Sequence, residues 1–443
     1  MFTKSVVLTV TAASLLTIMA GCTPPSVEEK KPETSQQPKI EVPQGPVTFK
    51  VASSRTKDSF EEVTKSIRAK YPNVKLEFMT NYKLEEKTLR EMIASGDVPD
   101  IFDVATTHIP IILDLDFPLD LEPIIQKYNV NLSHIDQEAL KDIRAYNGKQ
   151  MMIPTNLTPP MALFYNKDLF DRYGVPYPKV GSTWDELMDS AKKLSRSDGG
   201  INYMGLSTSN NANYMVKQMS LSYIDPQNGR SGLVSNEGWK RMFEKWKDIY
   251  SIPGNYPTGT RFTAGTNYFL KDKNLAMYPF YLFLLQEKAF QDAASSGFNW
   301  GVTTWPTFKD APGVGFGSFS GGFMISKSNK YPEFAFQVMM TLMSDEGQID
   351  LAKNGMTPSV TKPELRSHIY EGNPVVNQIP KDILTAIYNT KEPKPVFRTK
   401  YDTTALSIVT KYMHEYLDGK TDLNTVLLRA DEEINKVIEA DKK

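Results

Sequence analysis

The sequence predicts an α/β protein in which mostly parallel sheets are covered by helices. From Val47 to Val104 strand-like and helix-like segments alternate, which is typical of parallel strands joined by helical crossovers. The chain has 443 residues, 40% hydrophobic and 23% charged, which predicts a soluble globular protein of two or three domains. In sheets of this kind ligands bind beyond the carboxyl ends of the strands, so we expect a site there.

The first α/β region alternates three strands with two helices. Strands are predicted at residues 48–51, 74–78 and 100–104, and helices at 58–71 and 84–95. Pro72 ends the first helix, and Gly96 is suited to the position just after the second. This order predicts one sheet with helices on its faces.

A second α/β region follows, and its clearest signal is the capping box that begins at Thr183. Predicted strands cover 161–165, 302–305 and 323–325, and predicted helices cover 167–173, 184–194, 235–250, 332–343, 405–417 and 423–440. Trp239 and Trp246 fall on one apolar stripe of a helix. At that spacing we expect them to pack in the core rather than to bind a ligand.

The N-terminus has the pattern of an export signal. Residues 6–19 are apolar but too short for a membrane-spanning helix, which needs about 20 residues. Ala20 and Gly21 before Cys22 resemble a bacterial lipobox, although Met19 stands where Leu is commonest. The pattern predicts a signal peptide at 1–21, a lipid on Cys22 and an extracytoplasmic protein anchored to the cell membrane, with ordinary secretion as the alternative. Residues 23–46 are rich in Pro and polar residues, which predicts a disordered tether.

Composition and motifs argue against several classes of function. A formal net charge of −1 gives no basic field for nucleic acid. The four histidines are scattered without zinc-ligand spacing, and the only cysteine is assigned to the anchor. Neither a phosphate-binding loop nor a nucleophile elbow occurs in the sequence. We therefore expect no enzyme, no cofactor and no metal; a lipid-anchored hydrolase with an unrecognised carboxylate pair is the enzymatic alternative.

Several short motifs, in order along the chain, carry a resemblance to a known family. They are Pro99-Asp100-Ile101-Phe102, Tyr165-Asn166-Lys167-Asp168-Leu169-Phe170, Gly174-Val175-Pro176, Thr183-Trp184-Asp185-Glu186-Leu187, Trp300-Gly301-Val302-Thr303 and Tyr416-Leu417-Asp418-Gly419-Lys420. Together they resemble the family 1 extracellular solute-binding proteins of ABC importers, of which the maltose-binding protein is the best-known member. The resemblance covers the body of the chain from about Val47 to the C-terminus.

The resemblance implies a two-lobed periplasmic-binding-protein-like fold (type II, cluster D-like), with three hinge crossings and the ligand between the lobes. It places the crossings near residues 155–160, 303–306 and 355–360. Lobe one would be 47–157 plus 305–357, and lobe two 158–304 plus 358–443. The closed form would deliver its solute to the membrane permease subunits, and the protein would be a monomer.

The resemblance also indicates candidate ligand-binding residues, most of them in loops at strand ends. They are Ser54, Arg55, Thr106, Thr107, Asn156, Thr158, Tyr281, Phe283, Trp300, Ser320, Gly321 and Tyr401. Ser54 and Arg55 precede a helix, so helix capping is their alternative role. Tyr281 and Phe283 could pack against the C–H face of a sugar ring.

The ligand predicted from these residues is a neutral, hydroxyl-rich solute, with a sugar or oligosaccharide favoured. Arg55 is the only charged residue among the candidates, whereas an anion or a dipeptide would require strong charge in the cleft. A peptide or polyamine ligand remains an alternative. Another alternative is a receptor subunit that reports its ligand to a membrane sensor instead of a permease.

Overall fold

The computed structural model describes residues 38–79, 86–207, 213–256, 265–317, 319–394 and 396–441. Residues from Lys39 onward form one compact unit. The predicted signal peptide, Cys22 and most of the predicted tether lie outside the described residues. Within the described part, no helix combines the length and apolarity needed to cross a membrane.

The strands alternate with helices along most of the chain. The strands are β1 (Val47–Ser53), β2 (Val74–Phe78), β3 (Ile101–Ala105), β4 (Ile153–Leu157), β5 (Met161–Asn166), β6 (Arg196–Asp198), β7 (Ile201–Leu206), β8 (Leu275–Tyr281), β9 (Trp300–Thr304), β10 (Ser320–Ile325) and β11 (Thr357–Pro358). The helices before β9 are α1 (Lys57–Val63), α2 (Lys65–Lys70), α3 (Glu86–Ser95), α4 (Ile109–Asp114), α5 (Glu122–Lys127), α6 (Gln137–Arg144), α7 (Lys167–Tyr173), α8 (Trp184–Leu194), α9 (Asn213–Gln218), α10 (Glu237–Tyr250), α11 (Thr266–Leu270) and α12 (Lys288–Ser295). Those after β9 are α13 (Pro332–Met339), α14 (Asp345–Lys353), α15 (Pro363–Arg366), α16 (Lys381–Tyr388), α17 (Asp402–Leu417) and α18 (Leu423–Ala440).

The strands form two sheets, one in each lobe. The first has the order β11-β4-β10-β3-β1-β2 and the second the order β6-β7-β8-β5-β9. The chain passes between them after β4, after β9 and after β11, which gives the three crossings of the predicted two-lobed fold. The α/β class and this fold are confirmed.

The sheets are mixed, so the prediction of mostly parallel sheets is wrong. β1 pairs in parallel with β2 and β3, but β10 runs antiparallel to both β3 and β4. In the second sheet β5 is antiparallel to β8 and β9, and β7 is parallel to β8. The connectivity explains the antiparallel pairing in the first sheet. β10 enters that sheet from the other lobe, at the edge where β3 and β4 end, and therefore runs in the opposite direction to them.

Alternate residues of each strand pack on opposite faces, as the pleat requires. In β1, Phe49 and Val51 belong to one core cluster, while Ala52 belongs to the cluster on the other face. In β5, Leu163 and Phe164 likewise enter different clusters. Each sheet is therefore covered on both faces, which gives each lobe its own core.

The core clusters differ from the predicted lobe division at two points. Trp305 and Phe308 pack in the main cluster of the second lobe, although the predicted division begins lobe one at 305. Val360 and Leu365 pack in a cluster of the first lobe, beyond the predicted end at 357. Short β11 leads into α15, which stays against the first lobe before Tyr370 enters the second.

Local signals explain most helix ends. The Thr183 side chain accepts from the Glu186 N–H while Glu186 accepts from the Thr183 N–H, so the predicted capping box is confirmed. Trp239 and Trp246 are fully buried on one face of α10, as predicted. The predicted helix at 58–71 is two helices, because α1 ends at Val63 and the Thr64 hydroxyl donates to the Phe60 carbonyl (2.6 Å).

Candidate functional site

The first two crossings are hydrogen-bonded to each other where the lobes meet. The N–H and the hydroxyl of Thr158 both donate to the Phe319 carbonyl, at 2.6 and 2.7 Å. The edge of the first sheet that lies beside these crossings includes the end of β4 at Leu157, opposite Ser320 at the start of β10. The corresponding edge of the second sheet includes Tyr281 at the end of β8. Residues at the ends of these strands therefore border the space between the lobes.

A hydrogen-bond network centred on Arg55 covers this edge of the first sheet. Arg55 Nε donates to Asp103 Oδ2 (2.9 Å), and Arg55 Nη2 donates to Asn156 Oδ1 (2.8 Å). The Ser53 hydroxyl donates to the same Asp103 oxygen at 2.7 Å. Arg55 and Asp103 form an ion pair in which each side chain is only 11% exposed, so the guanidinium is held rigidly against the strand ends. Gly321 leaves room for Asn156, because a Cβ there would lie 2.9 Å from Asn156 Oδ1.

Among the cavities lined by described residues, two lie between the lobes, and Arg398 lines both. The larger, of about 200 Å³, is bounded by α6 of the first lobe, by Leu157 and Ser320, and by α9 with residues 392–394, Val396 and Arg398 of the second lobe. Its charged lining residues are Asp136, Glu138, Asp142, Lys217, Glu392, Lys394 and Arg398. The smaller, of about 80 Å³, is lined by Thr107 and Tyr146 from the first lobe and by Tyr223 and Asp402 from the second.

Aromatic rings of the second lobe extend toward the cavities. The Tyr281 ring stacks on Phe283 (centroids 5.3 Å apart, planes at 15°) and meets Phe316 edge-on at 5.9 Å. Phe316 in turn contacts Phe319, which lines the smaller cavity. The Lys217 ammonium lies 3.4 Å from the Phe319 ring centroid. These contacts give the second lobe an aromatic surface that ends at a cation in the cleft.

Burial shifts the protonation equilibria of several cleft residues. Burial and then the nearby Arg398 cation lower the pKa of Lys217 to about 7, against weaker attraction from Glu392 and Asp142. Burial raises the pKa of Asp402, although Thr399 donates to its Oδ1 from both its hydroxyl (2.7 Å) and its N–H (3.1 Å). The distance from Arg398 Nη1 to Asp402 Oδ2 is 3.8 Å, which is long for a hydrogen bond.

Several buried polar atoms around the cavities have no hydrogen-bond partner among the described residues. They are Arg398 Nε, the Tyr223 hydroxyl and the Thr106 hydroxyl. Leaving such groups unpaired is costly, and a ligand with several hydroxyl or amide groups could satisfy them. The cleft therefore presents donors and acceptors that the protein itself leaves unused.

Most of the predicted ligand residues lie around this cleft. Thr107 and Ser320 line the cavities, and Thr106 accepts from the Tyr146 hydroxyl through its carbonyl (3.0 Å). Ser54, Arg55, Asn156 and Gly321 belong to or border the Arg55 network, where the Ser54 N–H donates to the Asp103 carbonyl at 3.0 Å. Thr158 joins the crossings, and Tyr281 and Phe283 begin the aromatic surface.

Two predicted residues lie elsewhere. Trp300 begins β9, packs edge-on against Phe290 at 4.9 Å and lines a separate groove of the second lobe. Trp300 stands at the opposite end of β9 from the second crossing, which follows Thr304, so it lies away from the interlobe cleft. The Tyr401 hydroxyl donates to Asp441 Oδ2 (2.8 Å) at the end of α18, and that carboxylate holds the ring at the lobe surface.

No direct signal in the sequence identifies the charged residues of the cavities. Asp142 and Lys217 lie on helices where single charges are typical of a solvent face. Glu392 and Arg398 lie in an irregular segment between α16 and α17. The nearest available signal was the proline-rich run at 393–395, which is typical of a rigid loop with a fixed path.

Comparison with known proteins agrees with this geometry. Residues 53–349 match the profile of the bacterial extracellular solute-binding protein family. A Brucella abortus protein named as a binding protein is 29% identical over 164 residues, which cover 36% of this chain and 38% of that protein. The chain thus matches well under half of that relative's length.

Solved structures show the same fold along nearly the whole chain. An ABC substrate-binding protein of Listeria monocytogenes, solved with cycloalternan, has a TM-score of 0.71 at 19% identity, covering 89% of this chain and 99% of that one. The maltose/maltodextrin-binding domain of Bdellovibrio bacteriovorus, bound to maltotriose, has a TM-score of 0.65 at 16% identity, covering 88% and 100%. With the profile match spanning well over half of its length, the chain belongs to the family of bacterial extracellular solute-binding proteins.

Proposed function

We propose that this protein is the solute receptor of an ABC importer and that it captures a sugar or oligosaccharide in the cleft between its lobes. The main support for this proposal is the composition of the cleft. Arg398 Nε and the Tyr223 hydroxyl, which have no partner among the described residues, lie near the aromatic surface that begins at Tyr281. Charged groups bond strongly to sugar hydroxyls, and aromatic faces pack on the C–H side of the ring. The oligosaccharides bound by the two structural relatives support this class of ligand.

The proposal includes the anchor and the partners. Cys22 would carry the lipid and residues 23–46 would be the tether, so that the closed receptor meets permease subunits at the membrane. Labelling with a palmitate analogue tests the anchor. We expect label and membrane association in the wild type and neither in Cys22→Ala, whereas membrane association of that variant would contradict lipid anchoring.

A polyamine is the second candidate ligand because four carboxylates line the larger cavity. Asp136, Glu138, Asp142 and Glu392 supply them, although Lys217, Lys394 and Arg398 oppose their charge. Strong carboxylate lining favours a cation, whereas mixed charges favour hydroxyl groups, which both donate and accept. The mixed lining is the reason we place a sugar ahead of a polyamine, and the match to a family of solute-binding proteins is the reason we place binding ahead of hydrolysis.

A thermal-shift screen of the body from Val47 onward tests the proposal. The ligands would be mono- and oligosaccharides, including maltotriose and cycloalternan, with peptides and spermidine as the other arms. A ligand at 100 times its dissociation constant stabilises a protein by about 2.7 kcal/mol, a shift of several degrees. A shift with one sugar class, without product formation, is expected. A shift with spermidine alone would overturn the sugar assignment, and product formation would overturn the receptor.

A further inference from the structure

A second groove, separate from the interlobe cleft, follows the edge strand of the second sheet. β9 is the last strand in that sheet's order, and its residues 300–303 form the floor of a groove of about 610 Å³. Residues 176–180 form one wall, and residues 378–380 with Ile383 form the other. The groove therefore runs along an unpaired strand edge between two walls.

The ladder with β5 determines which backbone groups of β9 face the groove. The Lys167 N–H donates to the Asn299 carbonyl (2.9 Å), and the pairs continue as Tyr165 with Gly301 and Leu163 with Thr303. In an antiparallel ladder hydrogen-bonded and non-hydrogen-bonded pairs alternate. Gly301 and Thr303 thus bond to β5, and the N–H and C=O groups of Trp300 and Val302 point away from the sheet.

These outward groups belong to buried residues and find no backbone partner in the part of the chain that the structure describes. Trp300 is 8% and Val302 6% exposed. Thr303, which is 2% exposed, also lines the groove, and its hydroxyl has no partner among the described residues. Outward backbone groups on a strand edge, together with a buried hydroxyl that no described residue pairs, indicate a place where another chain can bond.

The rim adds apolar surface and positive charge. Tyr177 is 38% and Val180 50% exposed. Lys167 and Lys179 line the groove, and neither forms an ion pair with any described residue. Two carboxylates beside the groove accept hydrogen bonds from its residues: Asp171 from the Tyr177 hydroxyl (2.6 Å) and Asp168 from the Asn299 side chain (2.8 Å).

We propose that this groove binds an extended acidic peptide segment of another protein, which adds to β9 as a sixth strand. Backbone bonds to Trp300 and Val302 would hold the segment, and its apolar side chains, which share one face of the strand, would pack against one wall. Its carboxylates would reach Lys167 and Lys179. A second copy of this chain is a poorer fit, because β9 is recessed between the walls and two such edges cannot meet.

Substitution of Val302 separates backbone pairing from other effects. Proline is tolerated in an edge strand where its missing N–H faces outward, so Val302→Pro removes the donor that the peptide needs while the bonds to β5 remain. Val302→Ala is the matched control, since it shortens the same side chain and keeps the N–H. The probe is a pool of N-acetylated, C-amidated hexapeptides in which Val, Ile or Tyr alternates with Glu, and binding is followed by calorimetry and by the intrinsic tryptophan fluorescence of the protein.

We expect saturable binding of pool members that weakens at least about tenfold in Val302→Pro and less than about threefold in Val302→Ala. Circular dichroism and any sugar-induced thermal shift should be unchanged in both variants, which keeps this test independent of the proposed sugar site. Absence of binding by every pool member, or equal binding by Val302→Pro, would overturn the proposal. Binding of sugars at this groove in place of the peptides would overturn it too.

Discussion

Arg398 lines both interlobe cavities, and its Nε has no partner among the described residues. We expect Arg398→Met to weaken binding of the identified ligand roughly ten- to hundredfold, because a hydrogen bond from a charged donor is lost. Arg429→Met is the matched control, since Arg429 pairs with Glu415 (3.0 Å) on the outer surface of the second lobe. Calorimetric titration measures the affinity of both variants, and equal affinities would show that Arg398 does not contribute to ligand binding.

Lys217 links the cleft to the pH dependence of folding. Its pKa is lowered to about 7 in the folded protein, whereas the unfolded chain keeps a value near 10.5. Between these values the unfolded state binds more protons, so this residue makes the free energy of unfolding rise with pH across that window. Urea unfolding at pH 6.5 to 9 should show a steeper rise in the wild type than in Lys217→Met. Parallel curves would show that the ammonium is not desolvated.

At the scale of elements, β10 depends on two glycines that differ in what surrounds them. A Cβ on Gly322 would overlap the Ile153 carbonyl in β4, whereas a Cβ on Gly321 would meet the movable Asn156 side chain. Gly322→Ala should therefore lower the free energy of unfolding by about 2 kcal/mol or more through forced strand displacement. Gly321→Ala should cost less stability but disturb the Arg55 network and weaken ligand binding. Chemical denaturation with ligand titration separates the two, and a reversed order of stability would contradict the packing argument.

The elements with strong periodicity could be predicted from the sequence, and β8 shows why others could not. Its Pro279 argues against a central strand, yet β8 has neighbours on both sides. On one side of β8, β7 pairs with Leu275 and Met277 but not with Pro279. The N–H that proline lacks is therefore not needed for pairing on that side. How far a neighbouring strand extends along β8 depends on the tertiary structure and cannot be predicted from the local sequence.

The candidate site likewise contains some residues that the sequence could predict and others that it could not. Ser320 and Thr107 lie at strand ends, where loop position alone predicts a cleft, and both line cavities. Asp142 and Lys217 reach the cleft from helices of different lobes, and their proximity depends on how the lobes meet. The charge of the cleft was therefore the part that strand and helix patterns could not predict.

At the scale of the whole molecule, an ion pair between described residues joins the lobes near the cleft. Lys400 Nζ lies 3.3 Å from Asp114 Oδ1 in the first lobe and 2.6 Å from Asp441 Oδ2 in the second. The pair with Asp114 can form only when the lobes approach, so it favours the closed arrangement in the same way as a ligand that bridges them. Both partners are partly exposed, which limits its contribution to about 1 kcal/mol or less.

Lys400→Met should therefore shift the unliganded protein toward open lobes and weaken ligand binding by no more than about fivefold. Lys411→Met is the control, because Lys411 pairs with Glu433 within the second lobe (2.8 Å). Small-angle X-ray scattering should show a larger radius of gyration for Lys400→Met alone, and the difference should fade at 1 M salt, where the Debye length is about 3 Å. If the radius and the affinity of Lys400→Met match those of the control at low salt, the pair does not stabilise closure, and the ligand alone must bring the lobes together.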